Sequence, residues 1–236
     1  MFFGKNLKMK YLGMAIPLLL VAGCYNDRYE YAVNYKDKLR EMVISFESAV
    51  KENEQVFNKG IQYTESELRE DPNVNFKSLA FSWKSRLSKG RFQLERMQDK
   101  FESLRKTDSL YFKKLRQILD SIQSPTLKRL EEESLEEFSA TWEDITQKGG
   151  AAVFRLERLL NMGEDVHKII VSGGIRQKRA TVLKALTAFK KEFTETDILL
   201  HQFIREARAH IELPKANKEI TKPKPSTKPN PPGPRQ

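Results

Sequence analysis

The chain has 236 residues, 31% of them charged and 39% hydrophobic, with a formal net charge of +10 and a single cysteine. One cysteine excludes an intramolecular disulfide, while the apolar content suffices for one buried core. The charge excludes a nucleic-acid footprint, because it sits at the ends: Lys5, Lys8 and Lys10 carry +3, residues 214–236 carry +5, and residues 24–213 are left at +2.

The three lysines precede an uncharged run, Tyr11 to Gly23. The run is too short for a comfortable bilayer span but suits the apolar region of an export signal. It ends Leu20-Val21-Ala22-Gly23-Cys24, an aliphatic residue and two small residues before cysteine. This resembles the lipobox of bacterial lipoproteins, with Val21 where leucine is more usual. The resemblance implies cleavage after Gly23, diacylglycerol on the Cys24 sulfur, and often a palmitate-type chain on the new amino group. Each buried methylene contributes about 0.8 kcal/mol, so one chain anchors marginally and two or three anchor durably. The segmentation is then a signal peptide over 1–23 and a lipidated linker over 24–34. The expected location is the bacterial cell envelope. The outer membrane facing the periplasm is favoured over the inner membrane or the cell surface.

Downstream the sequence predicts an all-α body, an elongated antiparallel four-helix bundle of coiled-coil character over 35–213. The helices are expected at about 35–70, 75–122, 125–172 and 175–212. The second shows the pattern best. Alternate steps of three and four join Phe76, Ala80, Trp83, Leu87, Gly90, Leu94, Met97, Phe101, Leu104, Asp108, Tyr111, Leu115, Ile118 and Ile122, interrupted only by Gly90 and Asp108. The first runs through Tyr35, Leu39, Met42, Phe46, Ala49, Val56 and Tyr63, with Asn53 and Gly60 on the seam. The third runs through Leu135, Phe138, Trp142, Ile145, Ala152, Leu156, Leu159, Val166 and Ile170, with Gly149 and Gly163. The fourth runs through Ile175, Val182, Leu186, Phe189, Phe193, Leu200, Phe203 and Ala207. Asp71-Pro72-Asn73 should end the first helix, Ser124-Pro125 should start the third, and Ser172-Gly173-Gly174 should stop it. Gly149-Gly150 marks either a kink or a close approach of another helix, and close packing is the favoured reading.

Residues 214–236 hold seven of the ten prolines, interleaved with lysines. Such a tail is expected to be extended and disordered. Lys215, Lys218, Lys222, Lys224, Lys228 and Arg235 make it a candidate contact for anionic lipid or cell wall, against a purely solubilising terminus.

The motifs weighed for chemistry are sparse. Glu164-Asp165-Val166-His167 contains one Glu-x-x-His, whereas di-iron bundles use two copies with two further glutamates. Glu164 and His167 are thus weak metal candidates, and the expectation is no resident metal. His201 and His210 lack a glutamate three residues earlier, and nothing in the spacing fixes a single-metal ligand set. Gly173-Gly174 before a basic helix is an anion-site candidate, with a helix cap the favoured role. No nucleophile elbow, zinc-protease motif or phosphate loop occurs. An enzyme is therefore not expected, nor any cofactor beyond the acyl chains on Cys24.

The whole resembles an uncharacterised family of bacterial lipoproteins with a lipobox and long helices. The likeness is best over residues 76–212, through Ser124-Pro125-Thr126-Leu127-Lys128-Arg129 and the break near Gly174 followed by Arg179-Ala180 and Leu183/Leu186. The resemblance implies location and fold, and brings no activity with it. The functional expectation is a lipid-anchored, non-enzymatic scaffold, tether or partner-binding protein. It would hold the membrane by its lipid, and bind protein partners or itself through helix faces. The alternative is a ligand- or metal-binding envelope lipoprotein.

Overall fold

The computed structural model of the chain describes residues 12–212 except Pro72 and Gln177, with side chains from Glu30 onward. Lys5, Lys8 and Lys10, the Cys24 side chain that follows Gly23, and the tail cations from Lys215 to Arg235 lie outside the described residues. Four helices follow one another: α1 (Leu12–Glu70), α2 (Phe76–Leu119), α3 (Pro125–Arg176) and α4 (Arg179–Ile211). Each backbone packs on its neighbours in sequence, and α4 closes the ring against α1. Every neighbouring pair is antiparallel, as Phe46 meets Phe101, Asp108 meets Trp142, Gly149 meets Phe203 and Glu65 meets Lys190. With 52 residues, α3 is about 78 Å long, so the bundle is a rod.

The breaks fall where local chemistry puts them. Asp71 Oδ1 accepts from the Asn73 amide at 2.7 Å, which turns the chain after α1. Asn75 caps α2 by accepting from the Ser78 amide at 3.1 Å. Ser124 Oγ accepts from the Leu127 amide at 3.5 Å, with Pro125 at the first helical position.

Three expectations need correcting. First, α1 does not begin near residue 35; its backbone is helical from Leu12, so the expected linker 24–34 lies within it. No proline or glycine occurs between Cys24 and Gly60 to interrupt it. Second, the Gly173-Gly174 pair does not stop α3, which continues to Arg176, and α4 starts at Arg179 rather than 175. Ile175 consequently belongs to α3 and is 81% exposed, not a seam residue of the fourth helix. The closing bond runs from the Lys178 amide to the Gly173 carbonyl, at 2.9 Å. Third, the α1 seam passes through Phe57, Thr64 and Leu68, not Val56 and Tyr63, and Tyr63 lies outside against Arg86. A strict 3.5-residue repeat drifts by roughly 20° per heptad against a straight helix, and by four heptads after Tyr35 the error, about 80°, approaches the roughly 100° of one residue. The same drift replaces Ile118 with Leu119 at the end of α2.

The seam glycines lie where side chains from neighbouring helices fill the space. A Cβ at Gly149 would stand 2.6 Å from the Phe203 ring, and at Gly90 2.5 Å from the Phe57 ring. At Gly174 it would stand 2.5 Å from Phe76 Cβ, and at Gly173 2.5 Å from a Val182 methyl. Gly163 faces Leu87 and Phe189, and its carbonyl accepts the Trp83 indole N–H at 2.9 Å. Close packing, not a kink, is therefore the role of Gly149. The rings it admits form a cluster: Phe46 lies 5.3 Å from Phe203 and 5.9 Å from Phe101, both within the range of favourable aromatic pairs.

This packing sets opposite signs for two adjacent substitutions. Gly149→Ala gains about 1 kcal/mol of helix propensity but must displace the Phe203 ring, and overpacking of this kind costs about 1–3 kcal/mol. Gly150→Ala meets only ordinary contact, 3.4 Å from Phe101. Thermal or urea unfolding should show Gly150→Ala at or above the parent and Gly149→Ala below it. Equal stabilisation of both would rule out the ring-to-glycine packing.

Candidate functional site

The weak metal candidates Glu164 and His167 are not assembled into a ligand set among the described residues. Glu164 is turned toward α2, where Lys84 Nζ lies at 2.7 Å and Arg91 at 3.5 Å. The hydrogen bond from Lys84 is the main reason its carboxyl sits below the usual range. Two cations thus occupy the carboxylate, and no third metal-ligating group joins Glu164 and His167 among the described residues. The Gly173-Gly174 anion candidate fails for a different reason, since both residues lie inside α3 with side chains packed over them.

Two ionisable side chains bridge helices, Asp108 buried and His210 half-buried. Asp108 on α2 is buried and accepts the Trp142 indole N–H from α3 at 3.0 Å, with Arg105 at 3.9 Å. Burial pushes its carboxyl above the ordinary 3.8, and the Trp142 bond and Arg105 only partly offset this. His210 near the end of α4 stacks on Phe138, ring centroids 4.1 Å apart, and its Nε2–H donates to the Phe138 carbonyl at 2.9 Å. Burial lowers its pKa, so the imidazole is neutral at pH 7. Both groups join helices across the core.

The seam between α1 and α4 is a ladder of opposite charges. Arg40 pairs with Glu212 at 3.3 Å, Glu47 with Arg208, and Glu65 with Lys190 at 3.1 Å. Between these rungs the pattern changes. Glu54 faces His201 at 3.6 Å, and His201 also lies 3.7 Å from Asp197, one turn earlier on α4. The three ligand atoms lie within 4.8 Å of one another, and all three side chains are half-buried. Burial is the largest influence on Asp197 and raises its pKa; His201 opposes this and Glu54 adds to it. Beside this rung, Asn53 is buried with its Oδ1 unpartnered, a desolvation cost of about 1–3 kcal/mol.

The sequence held one signal for this cluster, the Asp197-x-x-x-His201 spacing that puts both groups on one helix face. Glu54 could not be found that way, because only the antiparallel closure of α4 on α1 brings it there.

Outside the interior, Phe76, Ala80, Val171, Gly174 and Ile175 line a shallow apolar groove between the start of α2 and the end of α3. A second surface depression is lined by Arg155, Met162, Glu192 and Thr196, and Arg155 there is held by Glu192 and Glu195. Among the described residues no helix is long and apolar enough to cross a membrane. Comparison with protein-family models, with curated proteins and with solved structures finds no match for this chain.

Asp108 gives a pH test with a defined sign. Its folded-state pKa is raised, so the folded protein holds the proton more tightly than the unfolded chain. The parent therefore gains stability as pH falls through the raised value toward 3.8 and loses that gain as pH rises. Asp108→Asn keeps an acceptor for Trp142 without the charge. Its stability relative to the parent should rise with pH across that window and then level off, as read by urea unfolding at a series of pH values. Asp108→Ala leaves the indole N–H unpaired and should cost about 1–3 kcal/mol. An Asn-variant difference that does not change with pH would contradict a desolvated carboxylate.

Proposed function

We propose that the chain is a lipid-anchored protein of the bacterial envelope whose helical rod acts as a non-enzymatic scaffold, tether or partner-binding body. The observation that carries this reading is Leu20-Val21-Ala22-Gly23-Cys24, a lipobox-like end to an apolar run, with the chain's sole cysteine at its close. The nature of the rod supports it. One apolar cluster runs from Leu39 to Ile211, and its polar members are largely spent on one another: Trp83 on Gly163, Trp142 on Asp108, and Thr64 and Thr196 on carbonyls of their own helices. Such an interior is suited to holding a shape rather than enclosing a substrate. Exposed Phe81, Phe92 and Phe154 offer contact points for a partner or a second copy along the helix faces.

A second reading, a ligand- or metal-binding envelope lipoprotein, is favoured by one observation, the Glu54–Asp197–His201 cluster. It is compatible with the same anchor.

Two measurements test the proposal. Metabolic labelling with an alkyne fatty acid should mark the parent chain and not Cys24→Ser; equal labelling of both would end the lipoprotein reading. The tail, net +5 with six cations, should add weak salt-dependent binding to anionic vesicles or isolated cell wall. The chain truncated after residue 213 should bind less than the full chain at low salt. Equal binding would move the contact to the helix faces.

A further inference from the structure

We propose that Glu54, Asp197 and His201 bind one divalent transition-metal ion of the zinc class, which clamps α1 to α4 partway along the rod. This goes beyond the scaffold reading and does not depend on the lipid anchor.

The donor set comes first. One imidazole nitrogen and two carboxylate oxygens suit zinc, cobalt or manganese; the imidazole weighs against magnesium and calcium, and the absence of sulfur against monovalent copper. Zinc holds nitrogen and oxygen ligands at about 2.0–2.2 Å, so two ligands on a tetrahedral ion stand about 3.4 Å apart. His201 Nε2 already lies 3.6 Å from Glu54 Oε2 and 3.7 Å from Asp197 Oδ1. The two edges from His201 need a contraction of only a few tenths of an ångström, and the third, between the Glu54 and Asp197 oxygens, lies within 4.8 Å and would close with them to give three protein bonds and a fourth position for water.

The supporting shell is in place. Asn58 Nδ2 donates to Glu54 Oε1 at 3.4 Å, which leaves the other oxygen, Oε2, facing His201. Outer partners of this kind orient ligands, and their loss commonly weakens metal affinity about 10–100-fold. Asp197 and His201 are one turn apart on α4, so the helix fixes their separation.

Charge along the seam points the same way. The other three α1–α4 rungs each join a carboxylate to an arginine or lysine. Here two carboxylates face an imidazole, and a doubly charged ion would supply the balance that the other rungs receive from a cationic side chain. The contrast with Glu164 is direct, since that carboxylate already has Lys84 and Arg91.

The experiment uses the full chain purified in detergent, stripped with chelator and titrated with zinc chloride, with magnesium chloride as the control. Calorimetry should give one zinc per chain, at least tenfold weaker magnesium binding, and a higher melting temperature with zinc. Glu54→Gln and His201→Ala should each weaken zinc binding at least tenfold, Asn58→Ala about tenfold, and His167→Ala not at all, with helical dichroism unchanged. If a variant fails to fold, cobalt(II) on the parent chain decides: its paramagnetic broadening should centre on residues around Glu54 and His201. Absence of one-to-one zinc binding, its survival in folded Glu54→Gln, its loss in His167→Ala, or broadening centred elsewhere would each overturn the proposal.

Discussion

The bundle depends on aromatic rings and branched side chains seated where a neighbouring helix has no side chain. A pure heptad seam would let helices slide by one repeat at little cost, because each layer of leucines resembles the next. Glycines remove that degeneracy. Phe57 seats opposite Gly90 and Phe203 opposite Gly149, where a Cβ would come within 2.6 Å of the ring, so each pair favours one register between its helices. Trp83 adds a directional lock, since its N–H reaches the Gly163 carbonyl while its ring meets Phe189 of α4 edge-on at 5.2 Å. Each glycine gives up about 1 kcal/mol of helix propensity, and the close approach it permits returns more through contact area.

The closure of α4 on α1 is of another kind. Its rim is written in charges: Arg40–Glu212, Glu47–Arg208 and Glu65–Lys190 flank the rung of Glu54, Asp197 and His201. Partly exposed pairs of this sort contribute little each, about 0–1 kcal/mol, but they select one pairing of faces. The seam is thus where a bound cation would have most effect on the rod. In the lipid-anchored reading α1 is also the helix that leads back to the membrane, so a change at this seam would act on the element nearest the anchor.

Much of this was legible in the chain itself. The all-α class, the four helices and the antiparallel order follow from the 3/4 periodicity and the short breaks at Pro72 and Pro125. The interior lists for α3 and α4 hold at nearly every position from Trp142 to Ile170 and from Val182 to Ala207. The failures have distinct physical origins. The slip from Val56 to Phe57 arises because a helix turns every 3.6 residues while a heptad repeat assumes 3.5. The mistaken stop at Gly173 arises because glycine reads as a terminator locally, while Val182 and Phe76 decide its role from elsewhere in the fold. The Glu54–Asp197–His201 cluster was half-legible, since the spacing on α4 is local and the partner on α1 is not. Cys24 was legible only as a sequence pattern, and its side chain lies outside the described residues.

The central claim, that ring-to-glycine packing fixes the register of the rod, can be observed without perturbing it. In nuclear magnetic resonance spectra of the labelled chain, the Gly149 α protons should show Overhauser contacts to the Phe203 ring. The Gly90 α protons should likewise contact the Phe57 ring, and both pairs should be shifted by the ring currents above them. Absence of these contacts, or contacts from Gly149 to a residue one turn away in place of Phe203, would contradict the account.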